Sequence, residues 1–281
     1  MKIQEALAQA VFRLKSAGVD SPRLDAELLL AHVLETSRAT VLTWPERRLT
    51  PKALTQYRDL VGRRAARIPL PYILGHWEFF GLDLLVDSRV LIPRPETELL
   101  VEQALERAKR WGPALRVCDV GAGSGAIAIS LAVHLPQATV YALDGSPEAL
   151  KVTAHNARRH GAAGRVQCLQ GDLLAPLPEP VHILTANLPY VTTEEWSALP
   201  PEIRQFEPRQ ALDGGPDGLD HIRALIAAAP PYLQPGGSLL LEIGASQGDV
   251  VSTLARQEFP EARVQVQPDY AGLDRMVLID T

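Results

Sequence analysis

The strand-like run Arg116-Val117-Cys118-Asp119-Val120 ends in the segment Gly121-Ala122-Gly123-Ser124-Gly125, and an apolar helical run follows. Few folds accept that order. A continuously apolar strand is covered on both faces, as in a parallel sheet. Glycines let the chain turn sharply and let a ligand approach the backbone. The helix beyond offers free N–H groups and a positive dipole end. The same alternation continues to the carboxyl end. Strands are expected at 115–119, 138–144, 165–170, 181–187, 237–243, 263–268 and 275–280, and helices at about 124–135, 147–160, 218–230 and 247–257. The fold class is therefore α/β: a seven-stranded, mostly parallel, Rossmann-like sheet with helices on both faces.

Upstream of this pattern the chain reads as helices. Ile3, Leu7, Val11 and Leu14 mark one helical face. Ser21-Pro22 and Thr50-Pro51 each pair an N-cap with a proline at the first helical position. They precede Leu24, Leu28, Leu29 and Val33, and then Leu54, Tyr57 and Val61. Pro69-Leu70-Pro71 is expected to end the helical unit. Two apolar runs between Glu78 and Leu91, broken by Gly81 and Asp87-Ser88, predict a β-hairpin. Ile92-Pro93-Arg94-Pro95 then leads into a helix running to about Lys109. The expected domains are 1–75 (helical), 76–92 (hairpin linker) and 93–281 (sheet domain).

The 281 residues are 46% hydrophobic, enough for one large core and a small one. No apolar run reaches the ~18 residues of a membrane span, and the first twenty residues lack a signal-peptide stretch, so a cytoplasmic protein is expected. Cys118 and Cys168, the only cysteines, lie in strand-like runs and are expected to be reduced and buried. His155 and His160, five apart, do not share a helical face, and no metal is expected. Residues 1–75 hold 12 Lys+Arg against 7 Asp+Glu, whereas the remainder carries a net charge of −10. That acidity suits neither phosphate gripping nor direct nucleic-acid binding. The basic segment can meet an acidic partner or dock on the acidic remainder.

Two acidic residues sharpen the glycine loop into a nucleotide-type cofactor site. Asp119 can accept hydrogen bonds from the loop or from a ligand's ammonium group. Asp144, at the next strand end, can take both ribose hydroxyls, or can serve the helix start at Gly145-Ser146-Pro147. Asp172 ends the third strand, where it would sit near a base ring with Leu173 against the ring's face; a plain turn aspartate is the other reading. Gly121, Gly123 and Ala126 also satisfy the dinucleotide fingerprint.

Asn187-Leu188-Pro189-Tyr190 follows the apolar run Ile183-Leu184-Thr185-Ala186 and is placed at the ligand-facing edge of the sheet. Leu188, held extended by Pro189, has a carbonyl of fixed direction. That carbonyl and the Asn187 side-chain carbonyl can both accept from one NH₂ group, and Tyr190 offers a flat apolar face. An amide or ring-conjugated nitrogen is a weak nucleophile, so acceptors that orient it and take up developing positive charge address its main deficiency. With the glycine loop, this clamp points to methyl transfer from S-adenosylmethionine to an amide or exocyclic amine. A non-catalytic cofactor-binding protein or an NAD-dependent oxidoreductase leaves the clamp unexplained.

The motifs resemble class I S-adenosylmethionine-dependent methyltransferases. Over nearly its whole length the chain is similar to the glutamine methyltransferases that modify peptide chain release factors, the PrmC or HemK family. Tyr72-Ile73-Leu74-Gly75 with Glu78-Phe79 and Gly81 resembles the family's interdomain segment. Leu91-Ile92-Pro93-Arg94-Pro95-Glu96-Thr97-Glu98 resembles its most distinctive signature. Phe206-Glu207-Pro208-Arg209, Ala211-Leu212-Asp213-Gly214-Gly215 and Asp217-Gly218-Leu219 resemble a third block. The resemblance implies S-adenosyl-L-methionine as cofactor, no metal, and methylation of the side-chain nitrogen N5 of the glutamine in a release factor's Gly-Gly-Gln motif. It implies that the helical domain helps hold the release factor. It gives cofactor contacts to Gly121 through Gly125, Asp144 and Asn187, and the glutamine to Asn187 through Tyr190. Arg94 and Glu96 would shape the substrate mouth, though Arg94 reads equally as an ion pair between loop and domain. The family usually has proline where this chain has Leu188; the role belongs to a backbone carbonyl, so the change is expected to be tolerated. Asn-Leu-Pro-Tyr is also typical of ribosomal RNA adenine dimethyltransferases. Adenine N6 methylation of rRNA or DNA is therefore the alternative. The long segment ahead of the loop, the Pro-Arg-Pro-Glu segment and the acidic sheet domain speak against it.

Overall fold

The computed structural model describes residues 1–281. They form two compact units, Met1–His76 with Pro200–Phe206, and Trp77–Leu199 with Glu207–Thr281. No helix is long and apolar enough to cross a membrane.

The first unit holds α1 (Ile3–Ser16), α2 (Pro22–Val33), α3 (Arg38–Thr43), α4 (Pro51–Ala65) and α5 (Leu70–Leu74). The buried face of α1 is Ile3, Ala6, Ala10 and Leu14, with Leu7 and Val11 at its margin. In α2 the inward face is not purely apolar. Leu24 is 40% exposed, while Asp25 and Glu27 turn inward beside Ala26, Leu29 and Leu30. The reason is charge pairing across the unit. Arg64 Nε donates to Asp25 at 2.7 Å, and Arg23 and Arg38 donate to Glu27 at 2.9 and 2.7 Å. A buried carboxylate is tolerable only when so paired. Arg64 also donates to Glu202 at 3.0 Å, and Arg67 pairs with the same carboxylate, tying the helix Pro201–Phe206 into this unit. This corrects the domain bounds expected from the sequence, which placed the segment within 93–281. Thr50 caps α4 as expected, accepting from Ala53 N at 3.1 Å, whereas Ser21 precedes α2 without a side-chain cap bond. Pro69 and Pro71 do not end the unit. They start α5, since proline is at ease in a first helical turn, and Gly75 closes it at φ 78°.

In the second unit, β1 (His76–Phe79) and β2 (Leu82–Leu85) form the expected hairpin. Both turn residues, Phe80 and Gly81, have positive φ, as a type I′ turn requires. A short 3₁₀ turn, Pro95–Thr97, leads into α6 (Glu98–Ala108). The sheet then follows: β3 (Arg116–Val120), α7 (Ala126–His134), β4 (Thr139–Asp144), α8 (Pro147–Arg159), β5 (Val166–Gln170), β6 (Val181–Ala186), α9 (Thr193–Ala198), α10 (Pro201–Phe206, in the first unit), α11 (Asp220–Ala228), β7 (Leu233–Glu242), α12 (Gly248–Glu258), β8 (Arg263–Pro268) and β9 (Asp274–Asp280). The three helices of six residues, α3, α9 and α10, went unpredicted because so short a run shows no period.

The seven strands run in the order β5-β4-β3-β6-β7-β9-β8, parallel except for β9, which pairs antiparallel with both β7 and β8. Alternate residues of the inner strands feed two cores. Val117, Val140 and Ile183 pack with α6 and α7, whereas Cys118, Tyr141 and Leu184 pack with α11 and α12. Strand β7 starts four residues earlier than expected. The register against β6 jumps between Val181↔Leu233 and Ile183↔Ser238, and the extra chain contains Pro235-Gly236-Gly237, a composition suited to an irregularity. Cys118 is buried, but Cys168 on β5 is only partly so, against expectation.

Candidate active site

Register places the site. Val120 pairs with Leu143 and Ala186, Asp144 with Gln170, and Ala186 with Leu241. The residues that follow these strands therefore line up along one edge of the sheet. The strand order reverses between β3 and β6, so the loops after them open on a crevice, where open α/β sheets bind ligands.

The glycine loop is built against β4. Gly121 N and Ala122 N donate to Leu143 O at 2.8 and 2.9 Å, and Gly123 N to Asp144 Oδ2 at 2.8 Å. Asp144 Oδ1 accepts from Ser146 N at 2.8 Å, and Ser146 caps α8 by accepting from Ala149 N at 3.2 Å. Asp144 thus serves the helix start and the loop together, and each oxygen keeps a second lone pair for a ligand. Gly125 meets a packing need rather than a ligand. Its φ is 81°, and a Cβ there would lie 2.7 Å from Ile129 and 2.8 Å from Thr153. Asn156, fully buried on α8, donates to Ser124 O at 2.9 Å and exchanges bonds with Leu85, fixing loop and hairpin at once.

Asp119 lies behind the loop. It is 1% exposed and accepts from Thr185 Oγ1 at 3.1 Å and Ala128 N at 3.2 Å. Burial pushes its carboxyl up to about 7 against those two hydrogen bonds, and the neighbouring Asp144 adds to the rise. It braces the start of α7 and does not line the cleft.

The clamp segment is fixed at both ends. Asn187 Nδ2 donates to Thr97 Oγ1 at 3.0 Å, and Thr97 donates onward to Glu242 Oε2 at 2.6 Å. The Tyr190 hydroxyl donates to Glu242 Oε1 at 3.2 Å. Thr97 and Glu242 are 4% and 2% exposed. Burial raises the Glu242 carboxyl, opposed by Thr97, Tyr190 and the Arg275 guanidinium and assisted by Glu96. Burial and Glu242 likewise push the Tyr190 phenol well above its ordinary range, so it stays protonated and is no base. The backbone is held as firmly. Tyr190 O accepts from Gln247 Nε2 at 3.0 Å, Val191 N donates to Leu212 O at 3.0 Å, and Gly214 N to Val191 O at 2.8 Å. Gly214 and Gly218 allow this contact, since a Cβ would lie 2.6 Å from Pro189 O and 2.4 Å from Tyr190 O respectively.

A cleft of about 240 Å³ brings together Gly121, Gly123, Asp144, Asp172, Leu173, Asn187, Leu188 and Pro189 from the sequence reading. Asp119, Ala122, Ser124, Gly125 and Tyr190 stand behind it instead. Leu173 has a left-handed backbone, φ 45°, and Leu188 is 5% exposed against Gly121. Arg94 takes the ion-pair reading. It donates to the buried Glu207 carboxylate at 2.6 Å, and the other Glu207 oxygen accepts from Ile92 N at 3.0 Å. Glu96 is exposed on its 3₁₀ turn. The cleft adds Arg89, Ser146, Gln210 and His221, which the sequence reading missed. Missed too were Thr97, though it sits inside the signature segment, and Glu242, a lone carboxylate closing the apolar run Leu239-Leu240-Leu241.

Residues 5–75 match a family profile described as the PrmC N-terminal domain, and residues 112–195 one described as a methyltransferase domain. The chain is 49% identical to the release factor glutamine methyltransferase of Moorella thermoacetica, over 99% of this chain and 98% of that protein. It is 44% identical to the protein of the same name from Geobacter sulfurreducens, over 94% and 91% of the two chains. Among solved structures, a methyltransferase from Pyrococcus furiosus superposes with a TM-score of 0.52 at 16% identity, over 78% of this chain and 98% of that one, a likeness of fold.

Proposed function

The chain belongs to the release factor glutamine methyltransferase family, and from that premise we propose that its cleft presents a release factor's glutamine to the cofactor while its helical unit docks the factor. The enzyme is an S-adenosylmethionine-dependent protein-glutamine methyltransferase. The finer assignment is to N5 of the glutamine in the Gly-Gly-Gln motif, with residues 1–75 for docking, 76–92 as a linking hairpin and 93–281 for methyl transfer.

The residues of the cleft fit the cofactor. Asp144 would take the ribose hydroxyls on the lone pairs not committed to Gly123 and Ser146. Asp172 and Leu173 would meet the base ring, and the bare backbone at Gly121 would meet the amino-acid end. When bound, S-adenosylmethionine supplies a methyl carbon already activated as a sulfonium. The protein's task is then to hold the nitrogen. Asn187 Oδ1 and the Leu188 carbonyl would each accept one N–H of the glutamine amide. They orient its lone pair and take up the positive charge that grows on it. The product nitrogen sheds its extra proton to water. Tyr190, kept neutral, anchors the end of the clamp on Glu242 from behind the cleft.

One observation carries this reading: the Asn187 amide is anchored through its NH₂ on Thr97, which leaves its carbonyl as the group presented to a substrate. The test is mass mapping of a release factor co-expressed with the enzyme. One methyl group on the Gly-Gly-Gln glutamine is expected, and none on a factor whose glutamine is changed to glutamate. Labelled adenine in RNA or DNA beside an untouched factor would overturn the assignment.

A further inference from the structure

We propose that Thr97 and Glu242 are positioning residues that set the polarity of the clamp, fixing which end of the Asn187 amide faces the glutamine nitrogen. The inference deepens the reading above and rests on it. An amide side chain can sit in its pocket either way round, since its O and NH₂ ends are nearly equal in size. Only hydrogen-bond direction distinguishes them. If Asn187 turned its NH₂ into the cleft, donor would face donor. The glutamine nitrogen would lose the acceptor that orients it.

The chain of bonds supplies the direction. Glu242 receives the Tyr190 hydroxyl on one oxygen and the Thr97 hydroxyl on the other, at 3.2 and 2.6 Å. With its single proton spent on Glu242, Thr97 Oγ1 can only accept from its other neighbour, which is Asn187 Nδ2 at 3.0 Å. Oδ1 is then left for the substrate. Burial shields the relay from water that could satisfy either orientation, for Thr97 and Glu242 are nearly inaccessible. The relay also joins three distant stretches of sequence. The 3₁₀ turn Pro95–Thr97 brings the hydroxyl, the end of β7 brings the carboxylate, and the turn after β6 brings the amide.

The test compares full-length enzyme variants on whole, unmodified release factor. Thr97→Val keeps the shape but removes the acceptor, and should lower kcat at least tenfold. The KM for S-adenosylmethionine should stay within about twofold. Thr97→Ser restores the hydroxyl and should recover most of the rate. Glu242→Gln can offer either O or NH₂ to Thr97, so it no longer enforces the direction and should lower kcat by a smaller factor. Because both act through Asn187, adding Thr97→Val to Asn187→Ala should cost nothing further, a non-additivity expected only of a coupled unit. Should Glu242→Gln fail to fold, the two Thr97 variants decide alone. Thr97→Val with the wild-type rate beside an inactive Asn187→Ala would overturn the inference and leave the clamp standing. Equal losses in kcat and cofactor affinity, or failure of Thr97→Ser to rescue, would mark a merely structural role and also overturn it. An Asn187→Ala enzyme of full activity would instead remove the clamp reading itself.

Discussion

At the scale of single residues, the cleft works through groups whose other bonds are already made. Asp144 shows it: both oxygens hold main-chain N–H groups at 2.8 Å, so the carboxylate cannot swing away when a ligand arrives. Preorganisation of this kind lowers the entropic cost of binding. Asp144→Ala removes the proposed ribose acceptors and the bond that holds Gly123 N. It should weaken cofactor binding by ~1–3 kcal/mol, the scale of charge-assisted hydrogen bonds. Titration calorimetry with S-adenosylhomocysteine measures this directly, and an unchanged affinity would rule out the ribose assignment. Asp144 and Asn187 were legible from the sequence because each closes a strand at the crevice edge. Thr97 and Glu242 were not. Their partners lie 90 and 145 residues away along the chain, and no local pattern reports such a bond.

Among elements, the turn after β6 depends on the block after Glu207. Val191 forms an isolated parallel bridge with Asp213, Gln247 bonds both Tyr190 O and Gly218 O, and Gly214 and Gly218 admit the crossing chains. A glycine-rich stretch far from Gly121–Gly125 thus packs directly against the turn after β6. Gly218 stands at φ 74°, where an alanine is strained and its methyl would press on the Tyr190 carbonyl. Gly218→Ala should destabilise the enzyme by about 1–3 kcal/mol and lower kcat at temperatures where the fold persists. Urea denaturation and single-turnover rates provide the check; a variant equal to wild type in both would show that the crossing does not support the clamp. Element types and order were readable, since strands buried on both faces show as short continuous apolar runs bounded by turn residues and amphipathic helices show by period. The inward carboxylates of α2 were not readable, because periodicity counts apolar residues and cannot see that Arg64, Arg23 and Arg38 satisfy Asp25 and Glu27.

For the whole molecule, the helical unit carries surface features that the fold of the unit does not use. Phe12 and Trp44 are 76% and 61% exposed on a segment with net charge +5. If this unit docks the release factor, Trp44→Ser and Phe12→Ser should raise the KM for the whole factor severalfold. Cofactor affinity and thermal midpoint should stay unchanged, because neither residue supports the core. Initial rates over a range of factor concentration decide the matter, and an unchanged KM in both variants would count against docking on these side chains. The sequence by itself determined the α/β class, the order of strands and helices, and the place of the glycine loop and of Asn187 at strand ends along one edge of the sheet. All of these follow from patterns within one or two neighbouring elements. Tertiary structure alone decided which loop residues face the cleft and which brace it from behind. It also decided that Arg94 is held by Glu207, that Pro200–Phe206 belongs with the helical unit, and which way the Asn187 amide turns. Each of those depends on partners brought together only by folding, where burial makes an unpaired polar group costly and so selects one arrangement.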